Sequence, residues 1–253
     1  MDTKMRRRLS ILQWIYIIAE AAVLVLLKTL ELLQRGPALQ TGLMYGVIVL
    51  NTCVAFLLSP RRISFRRAAE GEQAALRSLF LFLGLFMTLA ADTVLVLLNR
   101  NYPLGVLFFC FVQTLYGISL RPEMPVVWFR TAGSLLVAAV VFSGISAALY
   151  AASAWSILQL SLNVIEAWRV FRADRSENEK RLLLFALGLS LFWCCDISVG
   201  IYNLSAAASG MLSSVSGFLM WVFYLPSQAL LVLAAWNRPV IRGTDQVNHE
   251  NTT

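Results

Sequence analysis

Histidine is almost absent from this chain: the single one, His249, lies in a polar tail. A histidine-built zinc site needs more than one, which excludes soluble zinc hydrolases and the multi-histidine membrane hydrolases alike. Charge is also scarce. Only 14% of the 253 residues are charged, against about a quarter in soluble domains. No polar stretch is long enough to fold alone, so residues 1–253 read as one integral membrane domain. The four cysteines, Cys53, Cys110, Cys194 and Cys195, all sit in apolar runs. They have neither metal-ligand spacing nor a disulfide framework, and read as small packing residues. No metal and no cofactor is expected. The net charge of +7 is spread over short patches between apolar runs. Without a continuous basic face, nucleic acid is excluded as a partner.

What the chain has is apolar length. It is 58% hydrophobic, with a mean hydropathy of +0.70. A membrane-spanning helix takes about 20 mostly apolar residues. Eight such segments are predicted, at 9–33, 40–58, 77–98, 103–120, 126–142, 146–170, 182–204 and 211–236, followed by a polar tail at 237–253. Ser143-Gly144 is the weak break between the fifth and sixth. Apolar runs dominate over alternation, so the expected fold is an all-α polytopic bundle and not a barrel. Ser59–Gln73 and Ala173–Lys180 read as solvated connections. With the N-terminus inside, 18 of the 21 basic residues fall on one side of the membrane. Both termini are therefore expected in the cytoplasm, as in a bacterial inner membrane or its equivalent. The start, MRRRLSILQWIYIIAEA, has the basic and apolar parts of a cleavable signal, but its apolar run continues to spanning length. Asn203-Leu204-Ser205 and Asn251-Thr252-Thr253 match the glycosylation sequon. The first lies too near the membrane, and the second on the cytoplasmic side.

Ionisable residues inside spanning segments are costly and mark function by default. Glu31, Glu166 and Arg169 lie near segment ends, where they can snorkel. Glu20 and Lys28 read as structural polar contacts to a neighbouring helix. Asp92 and Asp196 differ, because aspartate is too short to reach the interface. Each closes a similar run, LGLFMTLAAD and LGLSLFWCCD, 104 residues apart. Gly84, Thr88 and Asp92 are spaced by four, as are Gly188, Phe192, Asp196 and Gly200. Such a stripe occupies one helix face, and its glycines admit a close neighbour. Both carboxyl groups should face the bundle interior, at similar depth in the outer half. The following helices add Gln113 with Tyr116, and Tyr224 with Gln228 near a bend at Pro226. This points to a parallel 4+4 internal repeat. Hydrogen bonding alone is a weak reason to keep two aspartates in lipid. Interhelical bonds average about 0.6 kcal/mol, while a central charge costs about 2.5 kcal/mol or more.

At these residues a resemblance emerges. AADTVLVLLNRNYPLGVLFFCFVQTLYGISL, FWCCDISVGIYNL and YLPSQALLVL together resemble the lysoplasmalogenase-like YhhN membrane proteins. Asp92, Gly105, Tyr116, Asp196, Tyr224 and Gln228 match that family's pattern. The remaining helices match in hydropathy alone. Ala91 and Cys195 replace the family's usual small polar or glycine neighbours, and Gln113 stands where it often has histidine. The resemblance implies eight helices and hydrolysis of the vinyl-ether bond of lysoplasmalogens, giving a fatty aldehyde and a glycerophospho-alcohol. Its partners would be a lysophospholipid substrate within the bilayer and the membrane lipids.

Two carboxyl groups suit that chemistry. A vinyl ether is cleaved by protonating its double-bond carbon, after which water attacks the oxocarbenium ion. One carboxyl group must be protonated near neutral pH and the other ionised. Asp92 and Asp196 are the expected pair, with Gln113, Tyr116, Tyr224 and Gln228 binding substrate or water. A glutamine cannot shuttle a proton, so two other readings stand beside this one. The first is a lipid-binding membrane protein on the same fold without catalysis. The second is a proton-coupled transporter using both aspartates.

Overall fold

A computed structural model describes residues 3–33, 36–58, 73–121, 123–173, 179–205 and 210–236. Most of the Ser59–Gln73 and Ala173–Lys180 connections, His249, the second sequon and the tail at 237–253 lie outside the described residues. The described chain is helical: α1 Thr3–Leu32, α2 Pro37–Leu58, α3 Gln73–Asp92, α4 Tyr102–Leu120, α5 Met124–Phe142, α6 Ala148–Ala173, α7 Glu179–Ser205 and α8 Gly210–Trp236. All eight are long and apolar enough to cross a membrane. Hydropathy finds each one because lipid forces every backbone polar group to be satisfied within its own segment.

Each helix packs on the one before it in the chain, and odd-numbered helices run one way and even-numbered helices the other. α5 ends at Phe142, and Gly144 turns the chain with φ +72°, the left-handed region that glycine enters without steric cost. The loop before α4 uses two asparagines for the same purpose, Asn99 at φ 46° and Asn101 at φ 53°. Asparagine tolerates this region better than most residues. Asn99 Oδ1 also accepts a hydrogen bond from Tyr102 Oη at 2.6 Å. α8 continues through Pro226.

Large apolar side chains cover the outside of the bundle, among them Trp14, Ile18, Phe86, Trp128, Leu136 and Tyr150. That is the inverse of a soluble protein, and it fits a lipid-facing surface. Basic residues gather at one end: Arg77 and Arg181 open α3 and α7, Arg169 and Arg172 close α6, and Arg121 follows α4. Glu123 accepts from Arg121 Nε at 2.9 Å, and this hydrogen bond, with the carboxylate's charge, pushes the guanidinium's pKa above the ordinary arginine value. Buried Arg130 sits near this end too, its guanidinium lying against Gly117, where any Cβ would collide with it.

α7 with α8, and α3 with α4, are the most extensively packed pairs. α4 also packs on α5 and α6, as α8 does on α1 and α2; α1 meets α2 as α5 meets α6, and α2 meets α3 as α6 meets α7. A shift of four helices carries nearly the whole neighbour pattern onto itself. The exception is the backbone approach of α3 to α8. On the other side, α4 and α7 meet through rings, Phe109 against Phe192 at 5.5 Å and Tyr116 against Phe185 at 5.9 Å.

Candidate functional site

Asp92 is the last residue of α3 and is buried. Directly after it the helix widens into a π turn over Thr93–Leu97, with Leu98 N–H donating to Thr93 O at 2.9 Å. Such turns recur at functional sites in helices. Side chains tie this one down. Thr93 Oγ1 donates to Leu89 O at 2.7 Å and meets Tyr45 Oη of α2 at 2.9 Å. Thr93 spends its only proton on Leu89, so Tyr45 donates in the second bond.

The partner of Asp92 comes from the far end of the chain. Tyr224 Oη of α8 donates to Asp92 Oδ2. The Tyr224 ring is held edge-on by Phe192 of α7 at 5.8 Å and by Trp221 at 5.6 Å, separations typical of stable aromatic pairs. Tyr116 of α4 approaches from another side. Its ring fills the place a side chain at Gly84 would occupy, and its hydroxyl lies 3.5 Å from Thr88 Oγ1. Thr88 already donates to Gly84 O at 3.0 Å, so the tyrosine is the donor. Gly84, Thr88 and Asp92 thus form a buried face, as their spacing predicts, and Tyr116 and Tyr224 pack along it.

Asp196 of α7 is half-buried and makes no side-chain hydrogen bond among the described residues. It is close enough to Asp92 for the two carboxyl groups to interact electrostatically. Cys195, next to Asp196 in the chain, is buried. Its neighbour Cys194 and the other two cysteines are also free thiols.

The predicted glutamines sit differently. Gln113 is fully buried, and Asn163 of α6 donates to its backbone carbonyl at 2.8 Å and to its Oε1 at 3.0 Å. Its own Nε2 has no partner among the described residues. Gln228 is buried, with its Nε2 at 3.5 Å from Ser227 Oγ. Neither is hydrogen-bonded to an aspartate. Lys28 pairs with Glu31 at 2.6 Å and lies over the Phe218 ring at 4.3 Å, joining α1 to α8 as a structural contact. Glu20 is buried, with neither carboxyl oxygen bonded among the described residues. Among the described residues, no three His, Cys, Asp or Glu side chains gather as a metal site.

Sequence reasoning missed two features. Asn163 is one; with Gln159 four residues earlier, it forms a polar stripe on α6 that the spacing could have shown. The second is the network around that stripe. Ser134 Oγ lies 2.9 Å from Thr114 Oγ1 and accepts from Gln159 Nε2 at 3.1 Å and Trp155 Nε1 at 3.0 Å. These bonds lock α4, α5 and α6 together without involving an aspartate. No protein-family model, curated protein or solved structure matches the chain.

Proposed function

We propose that this protein is a lysoplasmalogenase-like membrane hydrolase, related to the YhhN proteins that its motifs resemble. Its substrate would be a lysophospholipid with a vinyl-ether chain, and its two working groups Asp92 and Asp196. The observation that carries the reading is the contrast between two neighbouring carboxyl groups inside an apolar bundle. Asp92 accepts a hydrogen bond from Tyr224, which suits an ionised carboxylate, since that form only accepts. Among the described residues Asp196 has no hydrogen-bond donor, which suits a group that must give a proton away.

On this reading Asp196 protonates the vinyl carbon remote from the ether oxygen, leaving an oxocarbenium ion. Asp92 takes a proton from water as its oxygen bonds to the cationic carbon, forming a hemiacetal. In the collapse, protonated Asp92 returns its proton to the departing glyceryl oxygen, and ionised Asp196 takes the hemiacetal proton as the carbonyl forms. One water is consumed and both carboxyl groups are restored. Tyr224 keeps Asp92 oriented; Tyr116 and Gln228 line the approach for water or headgroup, and Gln113 supports them from its bond to Asn163. The basic end of the bundle faces the cytoplasm, with both termini there.

The test is release of fatty aldehyde from a lysoplasmalogen by the purified protein. Asp92→Asn and Asp196→Asn should each lower the rate by about 100-fold or more, the usual contribution of a positioned acid or base. Full activity in both variants would refute the mechanism. The enclosure of Gln113 by Asn163 favours a second reading, lipid binding without turnover. Binding of the lysolipid with no aldehyde released would select it.

A further inference from the structure

A recess of about 380 Å³, counted with its open mouth, lies at the basic end of the bundle, lined by Arg77, Arg181, Ser119, Leu81, Leu182 and Phe185. Two arginines from different helices converge there. They are 104 residues apart, the same interval that separates Gly84 from Gly188 and Asp92 from Asp196. The two guanidinium groups are close enough to repel one another. Among the described residues neither is paired with a carboxylate, and Arg77 Nε is buried without a hydrogen-bond partner. Such an arrangement costs energy unless an anion sits between the two groups. Ser119 Oγ donates to Tyr116 O at 2.7 Å, which leaves the arginines as the donors into the recess.

Depth identifies the anion. Arg77 and Arg181 lie in the first turn of their membrane-spanning stretches, Leu76–Leu97 and Glu179–Leu204. That is the level of lipid phosphates. The planar fork of arginine also binds phosphate oxygens in pairs. We propose that Arg77 and Arg181 form a binding site for a phosphate group, carried by a lipid headgroup or free in solution. The site is separate from the hydrolytic one. Each arginine precedes its aspartate by fifteen residues, roughly 22 Å along a helix, too far for one lysolipid to place its phosphate at one site and its vinyl ether at the other. The test therefore does not use turnover.

Full-length protein in detergent is titrated with dioleoyl phosphatidic acid and with dioleoylglycerol, and bound lipid is counted by native mass spectrometry. Wild type should retain phosphatidic acid and not dioleoylglycerol. Arg77→Gln and Arg181→Gln should each weaken retention about tenfold or more, the usual worth of a hydrogen bond to a charged group. Arg100→Gln, exposed at the opposite end, should bind as wild type. Displacement of the lipid by millimolar inorganic phosphate, and not by chloride at equal ionic strength, supports the site with free phosphate as its source. Resistance to displacement supports it with the headgroup as its source. Equal retention of both lipids by wild type would overturn the proposal without any variant, as would unchanged retention in the double Arg77→Gln, Arg181→Gln protein.

Discussion

Removing the Tyr224 hydroxyl reports the charge that Asp92 carries. Tyr224→Phe leaves the ring against Phe192 and Trp221, so packing is kept and only the donor to Asp92 Oδ2 is lost. If Asp92 is ionised, the bond is charge-assisted and worth about 1.5–3 kcal/mol. If Asp92 is protonated, the bond is neutral and closer to the average of about 0.6 kcal/mol for interhelical pairs. A double-mutant cycle with Asp92→Ala, which removes the acceptor, isolates this term, provided unfolding is reversible in mixed detergent micelles. The proposed base role of Asp92 requires a coupling energy above about 1.5 kcal/mol, the charge-assisted range. The same variant should lower turnover with little change in KM, because Tyr224 acts through Asp92. Coupling near 0.6 kcal/mol would assign the proton to Asp92 and reverse the roles of the two aspartates. Additivity within about 0.3 kcal/mol, the scatter for independent sites, would refute the contact itself.

Two further substitutions test the architecture around the site. Gly84→Ala pushes a methyl group into the Tyr116 ring, and should cost about 1–3 kcal/mol by overpacking; Gly84→Ala combined with Tyr116→Leu should recover part of the loss in the same unfolding assay. Ser134→Ala removes the shared partner of Thr114, Gln159 and Trp155. It should destabilise by about 1–3 kcal/mol through stranded polar groups, while leaving lysoplasmalogen turnover at low temperature near wild type, since none of these hydrogen bonds involves an aspartate.

The helices were legible because the signal for them is local. Twenty apolar residues in a row have few other options in lipid, and every predicted segment overlaps its helix closely. The inward face of α3 was legible too, since four-residue spacing puts Gly84, Thr88 and Asp92 on one line, and glycine marks where a neighbour comes near. The pairing across helices was not. From the sequence, each aspartate goes with the glutamine and tyrosine that follow it, yet Asp92 of α3 is held by Tyr224 of α8. Which tyrosine arrives depends on the approach of α8 to α3, and no local pattern encodes that approach. The π turn after Asp92 was invisible for a related reason. Thr93 is bonded from outside by Tyr45 of α2, so the contact that secures the wide turn is tertiary. Gln113 shows the same limit: the choice of Asn163 as its partner follows from how α4 meets α6.

The four-helix shift in the neighbour pattern bears on how such a chain enters a membrane. Four is an even number, so α1–α4 and α5–α8 each begin and end on the same side. Neither group has to be turned over, and the arginines that open α3 and α7 can hold both groups by the same rule. In the proposed orientation Arg77 and Arg181 would then serve twice, first as the charges that stay behind while α3 and α7 cross, and afterwards as the two walls of a shared pocket.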